Sequence, residues 1–324
     1  MDAAEAARAI GRGARPYCSG VIELPLSDGG EGFAELFGGI RHDVTVTGPL
    51  GDPVSAPFWL LGKRTAVVEM ASAAGRTLLP DPQGSDVLDA STAGVGQLIL
   101  AAQAAGARTI IVGCGGSATT DGGKGAVDEI ENGGGLTSST LLVATDVTTA
   151  FEDAAPLFGP QKGATSDQVM ALSRRLHALR SEYQLHFGID VGSLERSGAA
   201  GGLAGGLAAL GGQLISGFDA LARRFHLEEI LPTVDLVVTA EGQVDESTMQ
   251  GKVVASLATL LDDSTPLLVV AGHVEPGAGR RLQALRSGPT AVLDMSASAG
   301  RDRSMNNPAE VLAELVASYL EGFG

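Results

Sequence analysis

The chain has 324 residues, 44% of them hydrophobic, which is material for about two domains with buried cores. Acidic residues outnumber basic ones 38 to 22, and the net charge of −16 repels phosphate backbones and anionic lipid, weighing against nucleic-acid and membrane-surface roles. Two cysteines, Cys18 and Cys114, form no CxxC pair, which excludes a disulfide scaffold or a cysteine-rich zinc site and fits a reducing cytoplasm.

The opening stretch MDAAEAARAIGRG carries no apolar leader core, and no apolar run approaches the ~20 residues of a membrane helix. Residues 3–14 have helical spacing, and 21–26 read as a strand leading into the turn SDGGEG. A β-rich stretch follows at 42–47, 55–61 and 65–70, with the turn signal GPLGDP between the first two; it has an antiparallel look and suggests an inserted domain. Next come a helix at 93–105, a strand at 109–113, a glycine-rich turn with a short helix, a strand at 141–145, and a long polar-faced helix at 166–183. After Gly198 the pattern resumes with a helix, a strand at 234–239, a helix at 248–260, strands at 267–271 and 290–293, and a last helix after Pro308. Strand–helix alternation of this kind predicts an α/β architecture with largely parallel pairing.

The 46 glycines, about twice the usual share, gather in tight groups between these elements rather than in linkers. The densest segment is Arg108–Gly125, RTIIVGCGGSATTDGGKG. A strand there ends in a turn whose backbone N–H groups, from Gly115 and Gly116 onward, suit an anion, with hydroxyls at Ser117, Thr119 and Thr120. Asp121 is placed to bind Mg²⁺ or accept a proton; the competing reading is a carboxylate that only caps its own turn. The same segment matches G-x-G-x-x-A of dinucleotide-binding proteins at Gly113–Ala118, which keeps an oxidoreductase in play. Two further acidic turns, at Asp28 and at Glu241–Asp245, and Asp146 at a strand end, suit Mg²⁺ bridging phosphates beyond the carboxyl ends of a sheet, or else simply cap helices. Gly198, Gly201 and Gly202 open a helix of small residues, either for close packing or for a phosphate. Lys162 sits in the turn FGPQKGA and Lys252 follows the third acidic turn. No P-loop, HExxH or GxSxG is present.

In this order, LPLSDGGEG (24–32), VTVTGPLGDPV (44–54), EMASAAG (69–75), STAGVGQLI (91–99), GGSATTDGG (115–123), FGPQKGA (158–164), GAAGGLA (198–204) and AEGQVDESTMQGK (240–252) resemble the bacterial glycerate kinase family, over nearly the whole chain. The resemblance implies ATP- and Mg²⁺-dependent phosphorylation of D-glycerate, with 2-phosphoglycerate favoured over 3-phosphoglycerate. It also implies two α/β domains, one flavodoxin-like with three layers (1–39 and 229–324) and one resembling a restriction endonuclease (40–228), with the active site in the cleft between them.

On that resemblance Asp28, Asp121 and Lys162 are candidate catalytic residues, and Glu241 and Asp245 candidate metal ligands. Gly115, Gly116, Ser117, Thr119, Thr120, Gly198, Gly201, Gly202 and Lys252 are candidates for the nucleotide. The chain departs from the family in lacking a first strand and a lysine-bearing loop ahead of its first helix, so an exposed sheet edge or a core gap is expected. It also has Asp146–Phe151 where the family has DVxNPL. Those departures favour, as an alternative, a catalytically impaired paralogue that binds a metabolite. The partner expected is a small molecule, with neither nucleic acid nor membrane, in a monomer or homodimer.

Overall fold

The computed structural model describes residues 1–27, 32–80, 85–250 and 253–322. The chain divides into two compact units: one is continuous, Asp28–Ala220, and the other combines Met1–Ser27 with Leu221–Gly324.

The continuous unit is built on six strands in sequential order: β1 (Ile40–Thr47), β2 (Pro53–Leu61), β3 (Thr65–Glu69), β4 (Thr109–Gly113), β5 (Thr140–Ala144) and β6 (Gln213–Ile215). β1, β2 and β3 pair antiparallel, with Val44 opposite Ala56 and Phe58 opposite Val68. From β3 onward every pairing is parallel, with Val68 beside Val112 and Val112 beside Val143. The antiparallel patch is thus one wing of a mixed sheet. β4 is buried along most of its length, as its unbroken Ile-Ile-Val run requires of a central parallel strand.

One core joins this sheet to the helices Ala93–Ala104 and Leu203–Ala209 through Leu98, Ile99, Ile110 and Leu203. A second gathers Phe151 and Val191 against Leu172, Leu176, Leu179 and Tyr183 of the helix Ser166–Phe187. That helix starts at a reciprocal cap, in which Thr165 and Gln168 each accept the other's backbone N–H. It ends at Gly188, whose φ of 74° needs glycine.

The two-segment unit holds a parallel sheet of β7 (Val237–Val244), β8 (Leu267–Val274) and β9 (Thr290–Asp294) in that order. The helices Ala3–Ala14 and Pro308–Glu321 pack together with this sheet, Ala9 and Ala14 sharing a core with Leu268, Val270, Leu312 and Val316. β7 is an edge strand, and a cavity of about 180 Å³ lies against it, lined by Ala7, Ile10, Val21, Leu24, Leu236 and Val238 among others.

Three local expectations need correction. Residues 21–26 form no strand: Pro25 lacks a donor, and among the described residues β7 pairs only with β8. Thr239–Asp245 is not a turn, because β7 runs on through Glu241, opposite Ala271, to Val244, opposite Val274. β6, three residues after Gly211-Gly212, carries too short a pattern to be legible beforehand. Among the described residues no helix is long and apolar enough to cross a membrane.

Candidate active site

β3 and β4 are parallel neighbours, so the segments leaving their carboxyl ends emerge side by side, where open α/β sheets bind ligands. After β3 the chain forms a short helix, Ala71–Ala74, and a 3₁₀ turn, Arg76–Leu78. After β4 it forms the loop 114–123 before the helix Lys124–Asn132. The two segments are stitched by backbone: Gly75 bridges Ser117, the Ala118 N–H donates to Ala74 O at 2.9 Å, and the Arg76 N–H donates to Gly116 O at 3.0 Å. Gly116 sits at φ 70°. The next helix starts at Lys124, six residues after Ala118, whereas a dinucleotide fingerprint opens directly into its helix. Burial pushes the Cys114 thiol up to about 12, which removes it as a nucleophile.

The second half of the loop is fixed. Asp121, buried, accepts four hydrogen bonds: from the Thr92 N–H and hydroxyl, both 2.8 Å, the Gly123 N–H at 3.1 Å and the Gly125 N–H at 3.2 Å. Thr92 in turn accepts the Ala126 N–H at 3.0 Å. The Tyr183 hydroxyl donates to Gly122 O at 3.1 Å, and the Gly122 N–H donates to Gly201 O at 3.1 Å. Of the two readings of Asp121, the cap is the one this geometry fills. Thr92, which sequence reasoning passed over, is the partner it uses; a Ser91-Thr92 pair just ahead of a helix was the available signal.

Gly198, Gly201 and Gly202 are buried and closely packed. A Cβ at Gly201 would stand 2.0 Å from Thr119 O, and one at Gly206 would stand 2.7 Å from Gly122 O, so two backbones meet with no side chain between them.

The first half of the loop is where charge and unspent polarity collect. Lys162 ends the 3₁₀ turn Pro160–Lys162, which Gly163 closes at φ 90°. Its side chain is buried, and Nζ donates to Thr119 O at 2.5 Å. Burial brings its pKa down to about 7, with Asp121 opposing the shift and the charge of Arg76 adding to it. The Thr119 hydroxyl is fully buried and has no partner among the described residues. Ser117 and Thr120 are buried beside it in the chain, while Gly115 and Gly116 are more open. A buried ammonium with donors to spare beside an unpaired hydroxyl suits an anion such as a phosphate.

An open cavity of about 710 Å³ adjoins this half, bounded by Gly32 at the end of the first acidic turn, by Gly116, and by Trp59, Glu69, Ser72 and Arg76. Three of the sequence motifs, 24–32, 69–75 and 115–123, therefore reach one cavity. Asp28 and Lys252 lie outside the described residues. Glu241 and Asp245 belong to the two-segment unit, on β7 and just beyond it; the Asp245 N–H donates to the Thr248 hydroxyl at 3.1 Å. Asp146 caps the helix Gly217–Arg224 by accepting the Gly217 and Phe218 N–H groups. Among the described residues no three or more His, Cys, Asp or Glu side chains group as a metal site. Mg²⁺ with one or two protein carboxylates and phosphate oxygens would not require such a group.

The model of the glycerate kinase family matches residues 1–132 and 128–321 of the chain. An uncharacterized protein of Mycobacterium bovis is 39% identical over 349 aligned residues, covering 100% of this chain and 89% of that protein. Glycerate 2-kinase of Escherichia coli K12 is 34% identical, covering 86% of this chain and 84% of its own length. A crystal structure from Salmonella typhimurium LT2, provisionally named glycerate kinase 2, matches with a TM-score of 0.80 and 31% identity over 100% of this chain and 94% of that one.

Proposed function

The chain belongs to the glycerate kinase family of phosphotransferases, and from that premise we propose that it transfers a phosphoryl group from ATP, as its Mg²⁺ complex, to a hydroxyl of D-glycerate, giving 2-phosphoglycerate in preference to 3-phosphoglycerate. The observation that carries the reading is Lys162, an ammonium buried against the loop 115–120 with, among the described residues, a single hydrogen bond, at Thr119 O. Phosphoryl transfer asks the protein for positioning and charge compensation rather than covalent chemistry. A cation held in a low-dielectric site is strong compensation for charge on a transferring phosphate.

In this reading Lys162 and the N–H groups of Gly115 and Gly116 hold phosphate oxygens, with the hydroxyls of Ser117, Thr119 and Thr120 beside them. Asp121 keeps the loop in shape rather than taking a proton. The proton of the attacking hydroxyl falls to Asp28 of the first acidic turn, whose last glycine, Gly32, lines the cavity. Glu241 and Asp245 would hold Mg²⁺, which when bound neutralises charge between neighbouring phosphates. The E. coli relative's name, glycerate 2-kinase, supports the regiochemistry.

The test is ADP formation by the 324-residue chain with ATP, Mg²⁺ and D-glycerate, the product being identified by phosphorus NMR. Glycerate-dependent ADP with a phosphorus signal coupled to the C2 proton is expected. ADP formed only with another hydroxy acid would change the substrate. Absence of turnover from folded protein would transfer the reading to a metabolite-binding role.

A further inference from the structure

We propose that Arg76 recognises the carboxylate of the acceptor substrate and so makes this site selective for a short hydroxy acid over a neutral polyol or amide. The inference rests on the kinase reading above for where the acceptor sits, and it concerns a residue that no motif singled out.

Three observations converge on it. Arg76 lines the 710 Å³ cavity together with Gly116, at the end nearest the anion-binding half of the loop. Its backbone is pinned there, because its N–H donates to Gly116 O at 3.0 Å while its neighbour Gly75 bridges Ser117. The Cα at this position is therefore held beside the loop. Finally, among the described residues the Arg76 guanidinium has no ion-pair partner.

The other charges around this cavity are differently engaged. Arg41, also on its wall, is held by Asp43 at 2.8 Å and lies over the Trp59 ring at 5.6 Å. Glu69 accepts the Ala34 N–H at 2.7 Å, and Glu35 is exposed. Arg76 is thus the cation at the Gly116 end with its planar fork unspent, the geometry that matches a carboxylate with two parallel hydrogen bonds. Its positive charge is also felt at Lys162, which puts the two cations in one electrostatic neighbourhood. An acceptor with its carboxylate on Arg76 would present its hydroxyl in the same cavity that Gly116 of the loop lines.

The experiment compares wild type, Arg76→Ala and Arg76→Lys with D-glycerate and with its neutral amide, reading initial rates of ADP formation and ligand-induced thermal shifts. Removing a charge-assisted bidentate contact is expected to raise KM for D-glycerate about 10- to 100-fold in Arg76→Ala, while kcat and the KM for ATP change less than about threefold. The wild-type preference for the acid over the amide should collapse in Arg76→Ala and be partly restored in Arg76→Lys. A KM for D-glycerate within about twofold of wild type in Arg76→Ala overturns the assignment and leaves the kinase reading intact.

Should wild type turn over no D-glycerate, the kinase reading fails and the thermal-shift arm decides the inference by itself. Stabilisation of wild type but not of Arg76→Ala by D-glycerate upholds it, and equal shifts, or none in either protein, overturn it. An Arg76→Ala protein that is unfolded by circular dichroism would be replaced in both arms by Arg76→Gln.

Discussion

At the scale of single residues, two buried ionisable side chains do opposite work around one loop: Asp121 lies within it, and Lys162 reaches it from the turn Pro160–Lys162. Asp121 is saturated by four donors, so it behaves as a fastening, and its replacement is a question of stability before chemistry. Asp121→Asn turns an amide toward donors that expect an acceptor; a loss of about 2–4 kcal/mol is expected, measurable by urea denaturation. A stability change below about 0.5 kcal/mol would show that the four bonds do not hold the loop. Lys162 is under-satisfied, and its pKa near 7 has two readable consequences. Between the folded value of about 7 and the ordinary 10.5, the unfolded chain binds a proton that the folded chain does not. Stability should therefore rise with pH across that window and be lost as pH falls through about 7. From pH 7 to 9 the gain is about 2 kcal/mol, and Lys162→Met should flatten it in denaturation curves taken at both pH values. Activity should run the other way: kcat/KM falls above about pH 7 as the working cation is lost, and in Arg76→Ala that basic limb moves to higher pH because a repelling charge has gone.

At the scale of elements, the decisive contact is backbone on backbone, the 119–123 loop against residues 201–206, where a 3₁₀ turn enters the helix Leu203–Ala209. Gly206→Ala would thrust a methyl to within 2.7 Å of Gly122 O and is expected to destabilise by about 2–4 kcal/mol. Gly20→Ala, where a Cβ meets nothing within 4 Å, should stay within about 0.5 kcal/mol of wild type. Paired thermal melts check this, and equal melting temperatures would refute the packing role.

This contact also marks the limit of what the chain discloses before folding. The antiparallel wing, the central β4, the long helix (expected over 166–183, observed to Phe187) and the glycine-rich turn were all legible, because periodicity and turn chemistry act over neighbouring residues. That residues 198–206 serve the loop some 80 positions earlier is a tertiary fact with no local trace. Clustered acids were legible as a class but not in role: Asp146 and Asp121 became caps, while Glu241 was carried inside β7 by pairing with β8. Thr92 and Arg76 were missed because each meets the segment after β4 only once the chain has folded, Thr92 at Asp121 and Arg76 at Gly116.

For the whole molecule, the boundaries of the two units matter. Asp28–Ala220 is one uninterrupted stretch carrying the six-stranded sheet and the two cores described above. Expressed alone, it is expected to unfold in a single cooperative step when followed by circular dichroism and by tryptophan fluorescence from Trp59. A broad, non-cooperative melt would show that it depends on the remainder of the chain. The other unit has no such autonomy, since its first helix, Ala3–Ala14, shares a core with Pro308–Glu321.

That division sets an order in time. On the ribosome, at ~5–20 residues per second, the first helix emerges roughly 15–60 s before the last helix it must meet. Throughout that interval the continuous unit can finish folding while the apolar stripe of the first helix waits uncovered. Birth of this protein thus includes a vulnerable wait, in which a chaperone that shelters nascent N-termini has its one clear task.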